Sequence, residues 1–185
     1  MIELIKFESD DIQRLISWIP DCKFLLQWAG PKYSYPLDEA QLLATLDKTR
    51  GDRPSHFMYK ANLGRTTIGH IELLSADYDA GVVILGRILI GDKENRRKGL
   101  GLEMIQTALK IAFAELGFSL VDLGVFKFNS GAIRLYEGLG FIPYRTIQNM
   151  EDENWTLIRM NLSIEDWKRQ GPQRTSKKNR EVFPK

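Results

Sequence analysis

The sequence predicts an α/β fold in which a mixed sheet carries helices on both of its faces. Short strands and helices occupy the first part of the chain, and residues 81–141 then alternate strand, helix, strand and helix. That order is typical of a mixed sheet covered on both sides. Neither an internal repeat nor a low-complexity linker interrupts residues 1–170, so these residues are expected to form one domain. Residues 171–185 are expected to form a separate tail.

The N-terminal elements follow from apolar spacing and turn residues. Leu4 to Phe7 predicts the first strand, and Ser9-Asp10-Asp11 is expected to cap a helix. That helix turns residues at helical spacing toward the core, namely Ile12, Leu15, Ile16 and Ile19. The next elements are two helices and two strands, predicted at 24–28, 37–46, 55–62 and 66–74.

The joint between the next strand and helix is the most informative stretch. A β-branched run at 81–90 predicts the strand, and the helix follows from apolar residues three and four apart: Leu102, Ile105, Leu109, Ala112 and Leu116. Between them, Arg96-Arg97-Lys98-Gly99-Leu100-Gly101 places glycines and cations at a helix N-terminus. Free backbone N–H groups and the positive end of the helix dipole point outward there. The joint predicts a phosphate or pyrophosphate site, the alternative being a solvated helix start.

A second string of residues follows that helix. The apolar run at 120–126 predicts a strand, and Asn129 or Ser130 can cap a short helix that Gly140 ends. A last strand is predicted at 155–162, with a closing helix around 165–167.

These two strings resemble the signatures of a known family. The first fits Arg-x-x-Gly-x-Gly, and residues 129–141 read Asn-x-x-Ala-x-x-x-Tyr-x-x-x-Gly-Phe, with one helix and one strand between them. In this order they resemble the two signatures of the GCN5-related N-acetyltransferases (GNAT), and residues 90–141 are similar to the RimJ/RimL-like branch. The first string is neither a P-loop nor a G-x-G-x-x-G fingerprint.

The resemblance implies a fold, a cofactor and a reaction. The fold is a mixed, mostly antiparallel sheet of about six or seven strands flanked by helices on both faces. The cofactor is acetyl-CoA, and the acetyl group passes to a primary amine by direct attack. The acceptor is a protein N-terminal amine or a small amine such as a polyamine. A homodimer is possible.

The same resemblance assigns the cofactor contacts. The backbone of Ile88, Leu89 and Ile90 is expected to pair with the pantetheine arm as a strand would. The loop, with its residues Arg96, Arg97, Lys98, Gly99, Leu100 and Gly101, is expected to take the pyrophosphate, chiefly through backbone groups. The side chains of Arg97 and Lys98 either contact the phosphates or face solvent. Asn129 binds the arm, caps its helix, or does both.

Catalysis needs an acid for the thiolate and a base for the amine. By resemblance the acid is Tyr136, and the alternative is an aromatic side chain packed in its helix. Some relatives carry a glutamate at the position of Gly124, so that base is missing. Glu72 is ranked first as the replacement, with Asp122 or a bound water as alternatives. His70 shares the strand face of Glu72 and either titrates there or is simply packed.

Two further predictions concern recognition and turnover. Four aromatic residues either line an acceptor pocket or belong to the core and its rim: Trp28, Tyr33, Tyr35 and Trp155. The missing glutamate at position 124 keeps a second function open, a sensor or assembly module that binds acyl-CoA without turnover. A metal site is not expected from two histidines and one cysteine.

Composition indicates the class of protein and its expected location. The hydrophobic content of 43% is ordinary for a soluble globule. Neither a membrane-spanning apolar run nor a secretory signal is present, and the single Cys22 excludes an intramolecular disulfide, so a cytoplasmic location is expected. The tail at 171–185 is basic and is expected to be mobile. A solvated end is favoured there over a nucleic-acid contact.

Overall fold

The computed structural model describes residues 1–149 and 152–171. Within them lies a seven-stranded sheet of order β1-β2-β3-β4-β5-β7-β6. Its strands are β1 Ile2–Lys6, β2 Phe57–Leu63, β3 Thr66–Asp77, β4 Val82–Ile90, β5 Leu120–Phe126, β6 Ile142–Ile147 and β7 Leu157–Ser163. β4 and β5 run parallel, and the other neighbours are antiparallel. The predicted mixed, mostly antiparallel sheet is therefore confirmed.

Six α-helices accompany the sheet in the described part of the chain. They are α1 Ile12–Ser17, α2 Cys22–Ala29, α3 Glu39–Leu46, α4 Leu100–Lys110, α5 Ser130–Gly138 and α6 Ile164–Arg169. The carboxylates of Asp21 and Asp38 cap α2 and α3 by accepting backbone N–H bonds from Phe24 and Gln41. A π-helical turn, Ile111–Glu115, extends α4.

Two apolar clusters hold the helices to opposite faces of the sheet. The larger one joins the sheet to α4, its π-helical extension and α5, with Leu109, Val121 and Leu139 among its buried members. The smaller one packs α1, α2 and α3 against β4 and contains Leu15 and Trp28. Burying apolar side chains on both faces makes this a three-layer arrangement.

The structure refines the predicted elements in three details. Asp11 occupies the N-cap position of α1 as predicted but makes no side-chain cap bond there; instead it shares a capping box with Glu8, the N-cap of the short 3-10 turn Ser9–Asp11. Ile16 faces the smaller apolar cluster as predicted, although it is only partly buried there. The strand β6 was not predicted, since every one of its residues is exposed and no apolar alternation marks it.

The basic tail falls almost entirely outside the described residues, which end at Gly171. Across residues 1–149 and 152–171, no helix combines the length and apolarity needed to cross a bilayer.

Candidate active site

β4 and β5 form a fork at the centre of the sheet. They pair only over Val82–Ile84 and Leu120–Asp122 and then separate. A bulge bends β4 within the separated part, because His70 lies opposite Leu89 whereas Glu72 lies opposite Gly86. The backbone of β4 beyond Ile84 is therefore not paired with β5, and it can pair with an extended ligand instead.

A cavity of about 130 Å³ fills the fork. Its walls are residues 85–88 of β4, residues 124–126 of β5, three residues of α2, and Asn129 and Tyr136. Of the three β4 residues predicted to hold the pantetheine arm, Ile88 lines this cavity. Leu89 is buried with the N-terminal helices, and Ile90 pairs with Gly69 of β3.

Tyr136 stands in the cavity wall on α5. Its side chain is 9% exposed and packs edge-on against Phe141. Burial raises the pKa of the Tyr136 phenol to about 12, so the hydroxyl keeps its proton at neutral pH. Among the described residues none accepts a hydrogen bond from it, which leaves the proton available to a group in the cavity.

The glycine loop opens at the end of the fork. Gly99 is the N-cap of α4 with φ +79°, and a Cβ at Gly99 or Gly101 would meet no atom within 4 Å. The first backbone bond of the helix runs from Glu103 N–H to the Gly99 carbonyl at 3.1 Å, so the preceding amides have no partner inside the helix. Arg97 and Lys98 are exposed beside them. The loop thus offers amides, positive charge and open space to an anion.

Arg96 shapes this loop from within. Its guanidinium donates from Nε to the Ile90 carbonyl at 2.9 Å and from Nη2 to the Gly91 carbonyl at 2.8 Å. These two bonds tie the loop to the end of β4. The side chain of Arg96 is therefore engaged by the chain itself, a use that the sequence motif does not reveal.

Asn129 serves as a helix cap and as part of the cavity wall. Its Oδ1 accepts a hydrogen bond from Ala132 N–H at 3.2 Å and so caps α5. The same residue lines the cavity. Its amide nitrogen is a donor that the capping bond does not use.

Glu72 belongs to a buried network beneath the cavity. Its carboxylate is fully buried and contacts His70 Nε2 through Oε1 and Arg87 Nη1 through Oε2, each at 2.9 Å. Arg87 Nη1 also donates to the Tyr33 hydroxyl at 2.6 Å, and that hydroxyl shares a hydrogen bond with Thr45. Burial and the charge of Glu72 raise the pKa of Tyr33 to about 12. Both oxygens of Glu72 therefore have partners.

Asp122 is also engaged. Its Oδ2 accepts hydrogen bonds from the Tyr144 hydroxyl at 2.6 Å and contacts Arg159 Nη2 at 2.9 Å. The pKa of Arg159 is raised because these contacts outweigh burial, which lowers it. Neither Asp122 nor Glu72 is among the residues that line the cavity.

The four aromatic residues predicted for the acceptor pocket do not all line the cavity. Trp28 lines the cavity and stacks on Tyr33 with ring centroids 6.1 Å apart. Trp155 reaches the cavity wall indirectly, through an edge-on contact with Phe126 at 4.9 Å. Tyr35 is exposed and donates to the Pro20 carbonyl.

Sequence reasoning missed Arg87. This residue is 9% exposed, adopts φ +50° at the bulge of β4 and lines the cavity. The available signal was a charged residue inside an otherwise apolar strand, because such a residue is buried only with a partner.

Comparison with protein families identifies the family of this chain. A model described as "Acetyltransferase (GNAT) family" matches residues 15–141. The chain belongs to the GNAT family of acetyltransferases. Membership confirms the family predicted from the two motifs and its enzyme class. The RimJ/RimL-like branch stays a prediction.

A curated relative matches part of the chain. Over 75 residues the chain is 37% identical to the SPbeta prophage-derived uncharacterized N-acetyltransferase YokL of Bacillus subtilis (strain 168), which covers 40% of this chain and 41% of that protein. The matched segment thus spans less than half of the relative.

Solved structures share the GNAT fold over nearly the whole chain. A spermidine N-acetyltransferase from Vibrio cholerae in complex with CoA and spermine is 20% identical, with a TM-score of 0.76 over 90% of this chain and 97% of that chain. A dodecameric structure of the spermidine N-acetyltransferase from the same organism is 19% identical, with a TM-score of 0.73 over 92% of this chain and 98% of that chain. At this identity the likeness concerns the fold.

Proposed function

We propose that the protein is an acetyl-CoA-dependent N-acetyltransferase that transfers the acetyl group to a primary amine by direct attack. The observation that carries the proposal is that β4 forms the fork with β5, whose cavity Tyr136 lines, and also leads into the glycine loop at Arg96–Gly101. Family membership supports the same donor and the same class of reaction.

The residues fit coenzyme A in the order in which its parts occur along the molecule. The amides of residues 97–101, with the charges of Arg97 and Lys98, would hold the pyrophosphate. Near Ile88, the edge of β4 that is not paired with β5 would hold the pantetheine arm as an added strand. Bound acetyl-CoA would supply an activated thioester, and the cavity is the place where an amine would meet it.

Tyr136 is proposed as the acid that protonates the departing thiolate. Its buried phenol keeps its proton well above neutral pH, and the hydroxyl is not engaged by other described residues. Proton donation by a positioned side chain contributes on the order of 10²–10⁴-fold to a rate. Asn129 is proposed to orient the arm through its amide nitrogen.

The base is proposed to be a water in the cleft. Glu72 and Asp122 stay the candidate residues from the sequence, but each carboxylate is held by a cation and another partner, and neither lines the cavity. We therefore propose that Glu72 is a positioning residue for Arg87. A direct base role for Glu72 would require the Arg87 contact to open.

The finer assignments are part of the proposal. Similarity to the RimJ/RimL-like branch supports a protein N-terminal amine, whereas fold neighbours named as spermidine N-acetyltransferases support a small amine. A homodimer and a cytoplasmic location stay predictions.

One observation favours a second candidate function. Because both carboxylates are engaged, the fork resembles what a sensor that binds acyl-CoA without turnover would need. Calorimetry with acetyl-CoA, followed by thiol release against a panel of amines and N-terminal peptides, separates the two functions. Binding with release supports the enzyme, binding without release for any amine supports the sensor, and absence of binding contradicts both.

A further inference from the structure

The cavity wall contains a cation whose hydrogen-bonding capacity is only partly used. The Arg87 side chain is 7% exposed, and both of its hydrogen bonds, to Glu72 and to Tyr33, leave from Nη1. Its Nε is buried without a partner, and within residues 1–149 and 152–171 no hydrogen bond leaves Nη2. A buried donor without a partner is energetically unfavourable, so this edge of the guanidinium indicates an absent ligand.

The unused edge has a defined chemistry. The N–H groups at Nε and Nη2 of a guanidinium point in the same direction and match the two oxygens of a carboxylate. The Glu72 carboxylate cannot fill this edge, since its Oε2 contacts Nη1 and its Oε1 contacts His70. A cation–π contact holds the guanidinium carbon 4.4 Å from the centre of the Tyr33 ring. The edge is thus fixed in place before a ligand arrives.

A second unpartnered donor lies in the same wall. Trp28 is 9% exposed and lines the cavity, and its indole Nε1 is buried without a hydrogen-bond partner. Indole nitrogen can only donate. Two buried donors in one cavity wall indicate a ligand rich in acceptor oxygens.

The charge of the wall agrees with this. No aspartate or glutamate lines the cavity among the described residues, and Glu72 lies behind Arg87, fully buried. The ion pair therefore presents its positive end to the cavity. A polycation such as a polyamine would meet like charge there without a carboxylate to pair with, an arrangement that disfavours binding.

We propose that the acceptor amine carries a nearby carboxylate, as an α-amino acid does, and that the free edge of Arg87 binds that carboxylate and thereby selects the substrate. The inference rests on the proposed acetyltransferase function and names its substrate class. Because Arg87 and Tyr136 line the same cavity, the amine and the carboxylate of the acceptor are expected to lie close together.

The test compares acceptors that differ only at the carboxylate. Phenylalanine, phenylalaninamide and phenethylamine form one series, leucine, leucinamide and isoamylamine form another, and spermidine represents polycations. The kcat/KM of each acceptor is expressed per neutral amine, because the three amines of a series differ in pKa. Acetyl-CoA affinity is measured in parallel by calorimetry.

The wild-type protein is expected to prefer the amino acid over the decarboxylated amine by about 10- to 100-fold, the range of a charged hydrogen bond. R87Q is expected to abolish the preference while acetyl-CoA affinity stays within about twofold of the wild type. R87K keeps the positive charge but lacks the paired N–H groups of the guanidinium, so an intermediate preference for the carboxylate is expected.

The test has a second variant in case R87Q folds poorly, and it has a control variant. The double variant E72Q/R87Q replaces the ion pair by two neutral amides, and it is expected to lose the carboxylate preference as well. R65Q removes an exposed arginine from the turn between β2 and β3, and it is expected to behave as the wild type.

The outcomes separate this inference from the proposed function. Turnover of decarboxylated amines or spermidine at the efficiency of the amino acids, or an unchanged carboxylate preference in E72Q/R87Q, overturns the role of Arg87 and leaves the acetyltransferase intact. Absence of acetyl-CoA binding by the wild-type protein overturns the acetyltransferase itself. A preference that falls only with the Arg87 variants supports the proposal.

Discussion

The Arg87 guanidinium contacts the Glu72 carboxylate at 2.9 Å, and the two side chains are 7% and 0% exposed. The contact joins β3 to the bulge of β4, where Arg87 adopts φ +50°. Because a non-glycine residue seldom adopts that conformation, the ion pair helps to hold a backbone shape that the fork requires.

Breaking this pair is expected to destabilise the fold more than replacing both partners. Glu72→Gln leaves the buried Arg87 charge without its counter-ion and is expected to lower the free energy of unfolding by about 3 kcal/mol. The double variant E72Q/R87Q is expected to recover part of that loss. Urea denaturation of the wild type, the two single variants and the double variant measures the coupling, and additive losses would show that the contact is energetically unimportant.

The same Glu72→Gln variant tests the base assignment. A positioning role predicts that the pH profile of kcat keeps its acidic limb, with the main change in the KM of the acceptor. A direct base role predicts a fall in kcat on the order of 10²-fold or more with loss of that limb. Steady-state kinetics between pH 5 and about pH 9 distinguishes the two roles.

Tyr136→Phe removes the proposed acid while keeping the ring. We expect kcat to fall on the order of 10²-fold, because the thiolate would leave without its proton. Acetyl-CoA affinity should change little, since the ring still packs against Phe141. An unaltered kcat across the pH range would remove Tyr136 from the mechanism.

A bulky acidic residue in the glycine loop should block the pyrophosphate. Gly99→Glu is expected to weaken acetyl-CoA binding by at least about tenfold, through like charge and through the loss of close approach. Gly64→Glu is the matched control, because Gly64 also has a positive φ and open space, but lies in the turn between β2 and β3. Both positions have a positive φ, +79° at Gly99 and +61° at Gly64, so calorimetry with acetyl-CoA compares the effect of position. Equal affinities would contradict the loop assignment.

Asp11 is expected to make the free energy of unfolding depend on pH in the acidic range. Burial alone would raise the pKa of its carboxyl, but hydrogen bonds from Lys60, the Glu8 amide and Arg14 outweigh burial and lower it below 3.8. A lowered pKa contributes stability above pH 3.8 that is lost as the pH falls through the folded-state pKa.

Asp11→Asn is therefore expected to cost about 1–3 kcal/mol at pH 7, and the cost should shrink as the pH falls below about 4. Asp10→Asn, an exposed neighbour in the same turn, should change little. Urea denaturation at pH 7 and at about pH 3 provides the measurement. A pH-independent difference would show that Asp11 acts through packing alone.

The fit of Trp18 over the end of β4 depends on a glycine. A Cβ at Gly91 would overlap the ring of Trp18, so Gly91→Ala is expected to displace the ring and cost about 1–3 kcal/mol. In α5, a Cβ at Gly138 would meet no atom within 4 Å. Gly138→Ala, at the last residue of α5, should therefore be neutral or stabilising, since alanine favours the helical conformation more than glycine does. Thermal unfolding of the two variants compares them, and equal Tm values would contradict the close contact.

Local pattern predicted the elements around the cofactor loop well. The strand at 120–126 has the predicted bounds, and Asn129 caps α5 as its residue type indicates. These features depend on neighbours within a few positions along the chain, which is the range that hydrophobic period and capping chemistry cover. The edge strand β6 lacks such a pattern because no layer covers it.

The partners of the polar residues could not be predicted in the same way. Glu72 and Arg87 are 15 residues apart and meet only through the register and bulge between β3 and β4. The tie between Arg96 and the carbonyl oxygens of β4 likewise depends on how the loop folds back. From the sequence alone, Glu72 was therefore a candidate base, because its contact with Arg87 could not be predicted.

The most direct test of the central claim is one titration of the wild-type protein and Gly99→Glu with acetyl-CoA, followed by thiol release against the amine panel. We predict saturable binding to the wild type, much weaker binding to the variant, and one thiol released for each amine acetylated. Absence of binding to the wild type, or equal binding to both proteins, would contradict the assignment of the Arg96–Gly101 loop and the function built on it.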